Sequence, residues 1–229
     1  MEAFREAFRL IVTLNDELMH ILGVTLKMSF ASVLLSCLAG VPMGVRLGAG
    51  KFRGRSLVMR ILYTLMGMPP VVAGLIVFLL LSRRGPLGSL ELLFSVPAMV
   101  IAQVVLITPI VTGLTASVVA INAPALLETA NGLRLPRLTK LRLLVTENRT
   151  PLVSVVLAGF GRAIAEVGAV NLVGGNIQFK TRVMTTAIML ETSKGHFEFA
   201  IALGAILILI AFIINIAASF FRGDSHDYG

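Results

Sequence analysis

The sequence predicts an all-α polytopic membrane protein with five transmembrane helices and an interfacial helix at the N-terminus. Of the 229 residues, 56% are hydrophobic and 14% are charged, whereas a soluble domain contains about 25% charged residues. This composition also excludes a disordered chain, which combines low hydrophobicity with high charge. Five apolar runs are each long enough to cross a bilayer core of about 30 Å as a helix.

The five predicted spans are separated by short polar connections. They cover about residues 24–45, 57–81, 96–120, 151–173 and 197–221. The preceding segment, residues 1–22, mixes apolar with charged side chains, and we expect it to lie on the outer membrane surface rather than to form a sixth span. Residues 23–221 then form a single transmembrane domain, and residues 222–229 form a cytoplasmic tail.

The distribution of basic residues predicts the orientation of the spans. The chain has 20 Lys and Arg against 12 Asp and Glu, a formal net charge of +8. The first connection contains Arg46, Lys51, Arg53, Arg55 and Arg60, and the third contains Arg134, Arg137, Lys140, Arg142 and Arg149. Cytoplasmic loops are enriched in Lys and Arg, so the protein is expected in the cytoplasmic (inner) membrane with its N-terminus outside and its C-terminus in the cytoplasm. Charge confined to such connections does not indicate nucleic-acid binding.

No catalytic or metal site is predicted within the spans. The three histidines and all the aspartates lie at or beyond span ends, so neither a nucleophile with a base nor a metal-ligand cluster is available there. The segment Gly48-Ala49-Gly50-Lys51 lacks the other residues of a phosphate-binding loop. We therefore expect no cofactor in this chain, and an ATP-driven process requires a partner chain to bind ATP and Mg²⁺.

Span four contains an arginine close to its middle. A lone Arg at the bilayer centre costs roughly 2.5–3.5 kcal/mol on insertion scales. Glu166 lies one helical turn after Arg162 and can pair with it, while small residues such as Gly161 allow close helix approach. Two interpretations are open: the helix lines a polar path at a subunit interface, or the ion pair only fixes packing. In both, this face looks toward protein or water rather than lipid.

Prolines interrupt two of the spans. Pro69 and Pro70 are adjacent in span two near Gly67, and Pro109 lies in span three. Proline removes a backbone donor and bends a helix. The double proline is interpreted as a bend that shapes or gates a pathway, with an ordinary tolerated proline as the alternative. For Pro109 the tolerated proline is the preferred interpretation.

The third connection, about residues 121–150, contains a predicted short helix. Asn122 is interpreted as its cap and Pro124 as a residue of its first turn. One face of this amphipathic helix then consists of Leu126, Ala130 and Leu133. A helix of this kind in a cytoplasmic loop fits a groove on a partner protein, or alternatively lies on the membrane surface.

This connection resembles the coupling loop of ABC importer membrane subunits, in which Glu-Ala-Ala is followed by Gly and later by Leu-Pro. Here the segment is Glu128-Thr129-Ala130, Arg134 stands where the Gly is expected, and the Leu-Pro pair is not recognisable. Three further runs, residues 68–75, 82–86 and 159–169, resemble permeases of the molybdate, tungstate and sulfate group. Residues 173–177 and 181–194 look most like the tungstate permease subunit.

The resemblance implies the type I ABC importer transmembrane fold and a set of partners. These are a second copy of the chain in a homodimer, two ATP-binding cassette subunits, an outer substrate-binding protein and membrane lipid. The residues implied at the ATPase contact are Glu128, Thr129, Ala130, Leu133 and Arg134. The translocation path is expected to include Pro69, Pro70, Gly161, Arg162 and Glu166.

The implied function is ATP-driven import of an oxyanion, tungstate in the first place, by alternating access. The chain is then a transport subunit rather than an enzyme, and ATP is hydrolysed on a separate chain. Molybdate and sulfate are the alternative substrates within this class. A passive anion channel without an ATPase is the alternative from another class, and co-purification of a nucleotide-binding subunit discriminates between them.

Overall fold

The computed structural model describes residues 5, 8–9, 12–13, 15–50 and 52–220, and these contain helices and connecting turns but no strand. The helices are α1 (Asp16–Ala49), α2 (Arg55–Met66), α3 (Pro70–Leu81), α4 (Val96–Gly132), α5 (Arg137–Glu147), α6 (Arg149–Ile164), α7 (Gly168–Gly174), α8 (Met184–Lys194) and α9 (Phe197–Phe220). Lys51, much of the segment 1–14 and the predicted tail 222–229 lie outside the described residues.

Within the described part of the chain, three helices are long and apolar enough to cross a membrane unaided, namely α1, α4 and residues Phe197–Ala217 of α9. Predicted spans two and four are not continuous, because each consists of two helices with a sharp bend at a short break. The first pair is α2 with α3, and the second is α6 with α7. Counting each pair as one span gives up to five, which is the number predicted from the apolar runs.

The break in span two lies at the double proline. Pro69 has φ −59° and ψ 129°, the extended conformation that a following proline imposes, and Pro70 opens α3. Helices α2 and α3 have 12 residues each, which corresponds to about 18 Å and is too short for a bilayer core. The predicted bend is therefore present, while its role in gating stays a prediction.

A single proline does not end a helix in this chain. Both Pro109 and Pro124 lie inside α4, which continues for 37 residues. The tolerated proline preferred for Pro109 is thus observed. The helix start predicted at Asn122 and Pro124 is wrong, because these residues continue the preceding span instead of opening a new helix.

The described residues form two compact units. The first contains residues 69–105 and 161–214 with the described residues up to 32, and the second contains residues 33–68, 106–160 and 215–220. Helices α1, α4, α6 and α9 each contribute residues to both units. Each unit has its own apolar core.

The core of the first unit joins the start of α1 to α8 and α9. Leu18 and Ile21 are buried against Met184 and Leu203. The Thr25 hydroxyl accepts a hydrogen bond of 3.0 Å from the Met184 backbone N–H. Residues 16–22 are therefore the first turns of α1 and not a separate helix. Their predicted place at the outer membrane surface stays a prediction.

Polar contacts fasten the same end of α1 to the connection before α8. The Arg182 guanidinium lies 2.9 Å from the Glu17 carboxylate, which also accepts a hydrogen bond of 2.9 Å from the Gln178 amide. The His20 ring packs edge-on against Phe179. Glu17 and His20 thus hold the start of α1 against the connection between α7 and α8.

A row of glycines on α1 forms a close helix contact in the second unit. A Cβ added to Gly44 of α1 would lie 2.5 Å from the Thr115 Cβ of α4 and 2.6 Å from the Thr112 carbonyl oxygen. Gly40 and Gly48, one turn to either side, also face α4 at short distance. The spacing of four residues is that of a close-packing motif in membrane helices, and the sequence analysis missed it.

We expect alanine at Gly44 to destabilise the protein by about 1–3 kcal/mol, because its methyl group must displace backbone atoms of α4. Alanine at Gly23 of the same helix is the matched control, since nothing lies within 4 Å of its added Cβ. Thermal unfolding of the two purified variants in detergent measures the difference. Equal unfolding temperatures would show that the glycine row does not limit the approach of the helices.

Candidate functional site

The predicted ATPase-contact residues lie where α4 ends and the chain turns into α5. Glu128 and Thr129 are exposed on the last turns of α4, and Ala130 beside them is fully buried. Leu133 and Arg134 follow the helix end at Gly132, and Leu133 is 68% exposed. The predicted common face of Leu126, Ala130 and Leu133 is therefore wrong for Leu133, which lies beyond the helix.

The turn after α4 has the hydrogen bonds of a Schellman motif. The Arg134 N–H donates to the Asn131 carbonyl at 2.9 Å, and the Leu135 N–H donates to the Ala130 carbonyl at 3.0 Å. Arg134 has φ +53°, in the left-handed region. Glycine is strongly preferred at this position of the motif, which gives a physical reason for the Gly that the coupling-loop pattern expects here. Arg134 adopts the same backbone conformation at a cost of about 1–2 kcal/mol.

Glu128 is an isolated carboxylate on a basic part of the molecule. Among the described residues of the second unit, Glu147 is the only other acidic side chain, and neither forms an ion pair within 4.0 Å. The basic residues of this unit are Arg46, Arg53, Arg55, Arg60, Arg134, Arg137, Lys140, Arg142 and Arg149. The turn itself is fastened by a hydrogen bond of 2.5 Å from the Lys140 ammonium to the Asn131 side chain. An exposed carboxylate among basic side chains is a feature that a partner protein can recognise by charge complementarity.

Substitutions at Arg134 test the conformation of the turn. Glycine relieves the left-handed strain and is expected to raise the free energy of unfolding by up to about 1 kcal/mol. Valine, which is β-branched, is expected to lower it. Arg134→Ala is the control, because it removes the exposed side chain and keeps the strain. Denaturant unfolding in detergent should give the highest free energy of unfolding for the glycine variant, a lower and equal value for the wild type and the alanine variant, and the lowest value for the valine variant. A glycine variant with the lowest free energy of unfolding would contradict this.

In the first unit, the predicted pair of Arg162 and Glu166 forms across the break between α6 and α7. The Arg162 Nη1 lies 2.9 Å from the Glu166 Oε2. The side chain of Glu166 is 3% exposed and that of Arg162 is 35% exposed. The other carboxylate oxygen of Glu166 accepts a hydrogen bond of 3.1 Å from the Ala169 N–H in the first turn of α7. The carboxylate thus joins the end of one helix to the start of the next.

Two further side chains satisfy backbone carbonyls at this break. The Gln103 amide donates to the Ala163 carbonyl at 2.8 Å, and the Thr185 hydroxyl donates to the Glu166 carbonyl at 2.8 Å. Both donors are buried. The sequence analysis missed both, although a single Gln inside the apolar run of span three was an available signal. Because lipid offers no hydrogen bonds, a break of this kind requires such partners.

The two breaks meet at the starts of α3 and α7. A Cβ added to Gly168 would lie 2.7 Å from the Val71 side chain, and one added to Gly74 would lie 2.6 Å from the Ala169 Cα. Val71 follows the double proline directly, and Gly168 lies two residues after Glu166. The structure therefore brings four predicted path residues into one region, while Gly161 precedes it with nothing within 4 Å of an added Cβ. These four are Pro69, Pro70, Arg162 and Glu166. Their part in translocation stays a prediction.

A double-mutant cycle on the ion pair tests whether it supports the break. Arg162→Gln leaves a buried carboxylate unpaired and is expected to cost about 3 kcal/mol, while Glu166→Gln leaves a partly exposed guanidinium and is expected to cost about 2 kcal/mol. The double variant should lose less than the sum, by at least about 1 kcal/mol. Unfolding in detergent provides all four values, and strict additivity would show that the two side chains are independent.

Comparison with known proteins places the chain in a family. Residues 40–223 match the family of binding-protein-dependent transport system inner membrane components. The chain is 38% identical over 214 residues to the tungstate uptake system permease protein TupB of Peptoclostridium acidaminophilum, covering 93% of this chain and 94% of that protein. It is 43% identical over 211 residues to a probable anion ABC transporter permease protein of Haloferax volcanii, covering 90% of each. A solved chain of the inward-facing MetNI methionine ABC transporter has a TM-score of 0.71 at 15% identity, covering 92% of this chain and 97% of that chain.

The protein therefore belongs to the family of binding-protein-dependent transport system inner membrane components. It is a permease subunit of the ABC transporter class, and the family resemblance predicted from its sequence is confirmed. The likeness to the MetNI chain shows the type I importer transmembrane fold, as predicted.

Proposed function

We propose that this permease imports an oxyanion, tungstate in the first place, and that an outer binding protein delivers the anion. The observation that carries the proposal is the similarity over nearly the whole chain to a permease named for tungstate uptake. A second similar permease is named for anion transport, which supports the charge class of the substrate. Selectivity between tungstate, molybdate and sulfate resides largely in the binding protein, because a tight site in the membrane path would hinder release.

The energy for transport comes from partner chains. We infer that two copies of this chain form the membrane part and that each binds one ATP-binding cassette subunit, where ATP and Mg²⁺ are held. The exposed turn between α4 and α5 is the docking element, with Glu128, Thr129, Leu133 and Arg134 available to a partner and Ala130 fixing the helix end. Closure of the ATPase pair then shifts each permease between two discrete packings.

The orientation follows from the basic residues and is part of the proposal. The first and third connections, rich in Lys and Arg, face the cytoplasm, where the ATPase subunits bind. The N-terminus then lies outside and the C-terminus in the cytoplasm. The ion pair of Glu17 with Arg182 is consistent with this topology, which puts the start of α1 and the connection before α8 on the same side of the membrane.

The region where the two helix breaks meet is the proposed lining of the translocation path. Broken helices are tolerated at membrane depth where they are buried in protein or line an aqueous cavity. Arg162 is the candidate anion contact, and it is partly exposed. Its pairing with Glu166 weakens its field, so the contact with the anion is weak and transient, as passage requires.

Charge reversal at Glu128 tests the docking element. We expect Glu128→Arg to reduce co-purification of the nucleotide-binding subunit more than tenfold, since unfavourable charge pairs at an interface cost several kcal/mol. Glu147→Arg is the matched control, an equal charge change at an exposed residue outside the turn. A passive channel would show no nucleotide-binding partner in either case, and equal loss in both variants would remove the turn from the interface.

Reconstitution tests the substrate. The complete complex in proteoliposomes, with its binding protein, should take up labelled tungstate only with ATP, and unlabelled tungstate should compete better than molybdate or sulfate. Stronger competition by molybdate or sulfate would assign the protein to that substrate instead. Uptake that proceeds without ATP would favour the channel.

A further inference from the structure

A second polar feature of the second unit lies at the start of α2 and is not used by the proposed path or docking turn. It is a pocket of about 320 Å³ between α2 and α4. Five of its lining residues carry polar side chains, and three are apolar. The polar residues are Arg55, Ser56, Arg60, Tyr63 and Ser117, and the apolar ones are Met59, Ala116 and Ala120.

The two arginines of this pocket are not neutralised by the part of the chain that the structure describes. The Arg55 Nε donates to the Leu47 carbonyl at 2.8 Å, which holds the side chain in place and leaves its terminal nitrogens for another acceptor. Arg60 forms no ion pair within 4.0 Å among those residues. The first turn of α2 contains no acidic residue, and its cap, Gly54, offers no side chain.

The other side chains of the pocket complement an anion. Ser56 and Tyr63 are exposed and offer hydroxyl donors, while the Ser117 hydroxyl already donates to the Gly113 carbonyl at 3.0 Å. Guanidinium groups bind carboxylate, phosphate and similar oxyanions with two parallel hydrogen bonds. Two unpaired guanidinium groups facing one cavity repel each other, and a bound anion of charge −2 relieves that repulsion.

A second groove of the same unit has a more apolar lining. A groove of about 350 Å³ lies between α1 and α5 in the same unit, and its lining is mostly apolar. Two arginines, Arg46 and Arg142, and the hydroxyl-bearing Thr146 also contribute to it. The pocket at α2 differs in having three hydroxyl-bearing residues instead of one and a smaller share of apolar lining.

We propose that the pocket lined by Arg55, Ser56, Arg60 and Tyr63 binds a tetrahedral oxyanion on the side assigned to the cytoplasm. Its volume exceeds that of a bare oxyanion, so the anion keeps part of its water and binds weakly. For a free anion, the inference rests on the proposed function, which identifies that anion as the transported oxyanion. The transported oxyanion would occupy this pocket on leaving the translocation path. The phosphate of an anionic lipid headgroup has the same chemistry and is the second source.

The test uses the purified full chain in nanodiscs of zwitterionic lipid, with labelled tungstate in equilibrium dialysis. The wild type should bind tungstate saturably, and Arg60→Gln should weaken binding about tenfold, the effect of losing one charge-assisted contact. Arg53→Gln is the matched control, because Arg53 is an exposed residue of the same connection that does not line the pocket. Ser56→Ala, which removes a hydroxyl and no charge, should weaken binding by a smaller factor. Size-exclusion profiles verify that each variant is folded.

A second arm distinguishes the two sources of the oxyanion. Nanodiscs containing phosphatidylglycerol are used, and lipid retained through purification is measured for the wild type, Arg60→Gln and Arg53→Gln. Retention of phosphatidylglycerol that Arg60→Gln alone abolishes, without binding of free tungstate, supports a lipid phosphate in the pocket. Equal behaviour of Arg60→Gln and Arg53→Gln in both arms overturns the inference. That failure is separate from the proposed function, since no ATPase or binding protein takes part in these measurements.

Discussion

Inside a bilayer no water is available to a free peptide group, so every break in a membrane helix must be completed by the protein itself. The first unit meets this requirement at the α6–α7 break with three buried side chains. Gln103 and Thr185 each donate to a carbonyl of the break, and Glu166 accepts from the first turn of α7. The conformation of the break therefore depends on α4 and on the chain at the start of α8 as much as on its own residues. These partners satisfy the backbone groups of the break beside the pair of Arg162 and Glu166.

The packing of the second unit depends on a different constraint, the close approach of the long helices α1 and α4. Glycines every fourth residue of α1 let the backbone of α4 come near, and Val45 and Val119 add an apolar core beside them that Leu144 of α5 completes. The Asn122 side-chain amide also donates a hydrogen bond of 3.3 Å to the side-chain oxygen of Asn148, at the junction of α5 and α6. The turn between α4 and α5 thus stands at the end of a helix that is well held along its length. This packing supports the turn that is proposed as the docking element.

In this chain, residues depart from the usual preferences for backbone conformation and charge pairing at the places where a function is proposed. Arg134 takes a backbone conformation that favours glycine, and Glu128 stands unpaired in a basic region. The charged pair of Arg162 and Glu166 lies in the fourth predicted span, where charge is costly. Consistent local sequence and structure are the rule for stability, and departures from it concentrate at functional sites. The exposed turn and the meeting breaks are the departures that the proposed function explains.

The sequence by itself determined the membrane class, the family and the prolines that mark one break, because hydropathy and motif are properties of neighbouring residues. It did not place the end of α4, where the predicted helix start at Asn122 was wrong, since one proline and one cap residue are tolerated within a long apolar helix. Only the tertiary structure decided the second break, the glycine row and the pairing of Gln103 with Ala163. These depend on groups that lie far apart along the chain, sixty residues in the last case, and whose interaction no local pattern encodes.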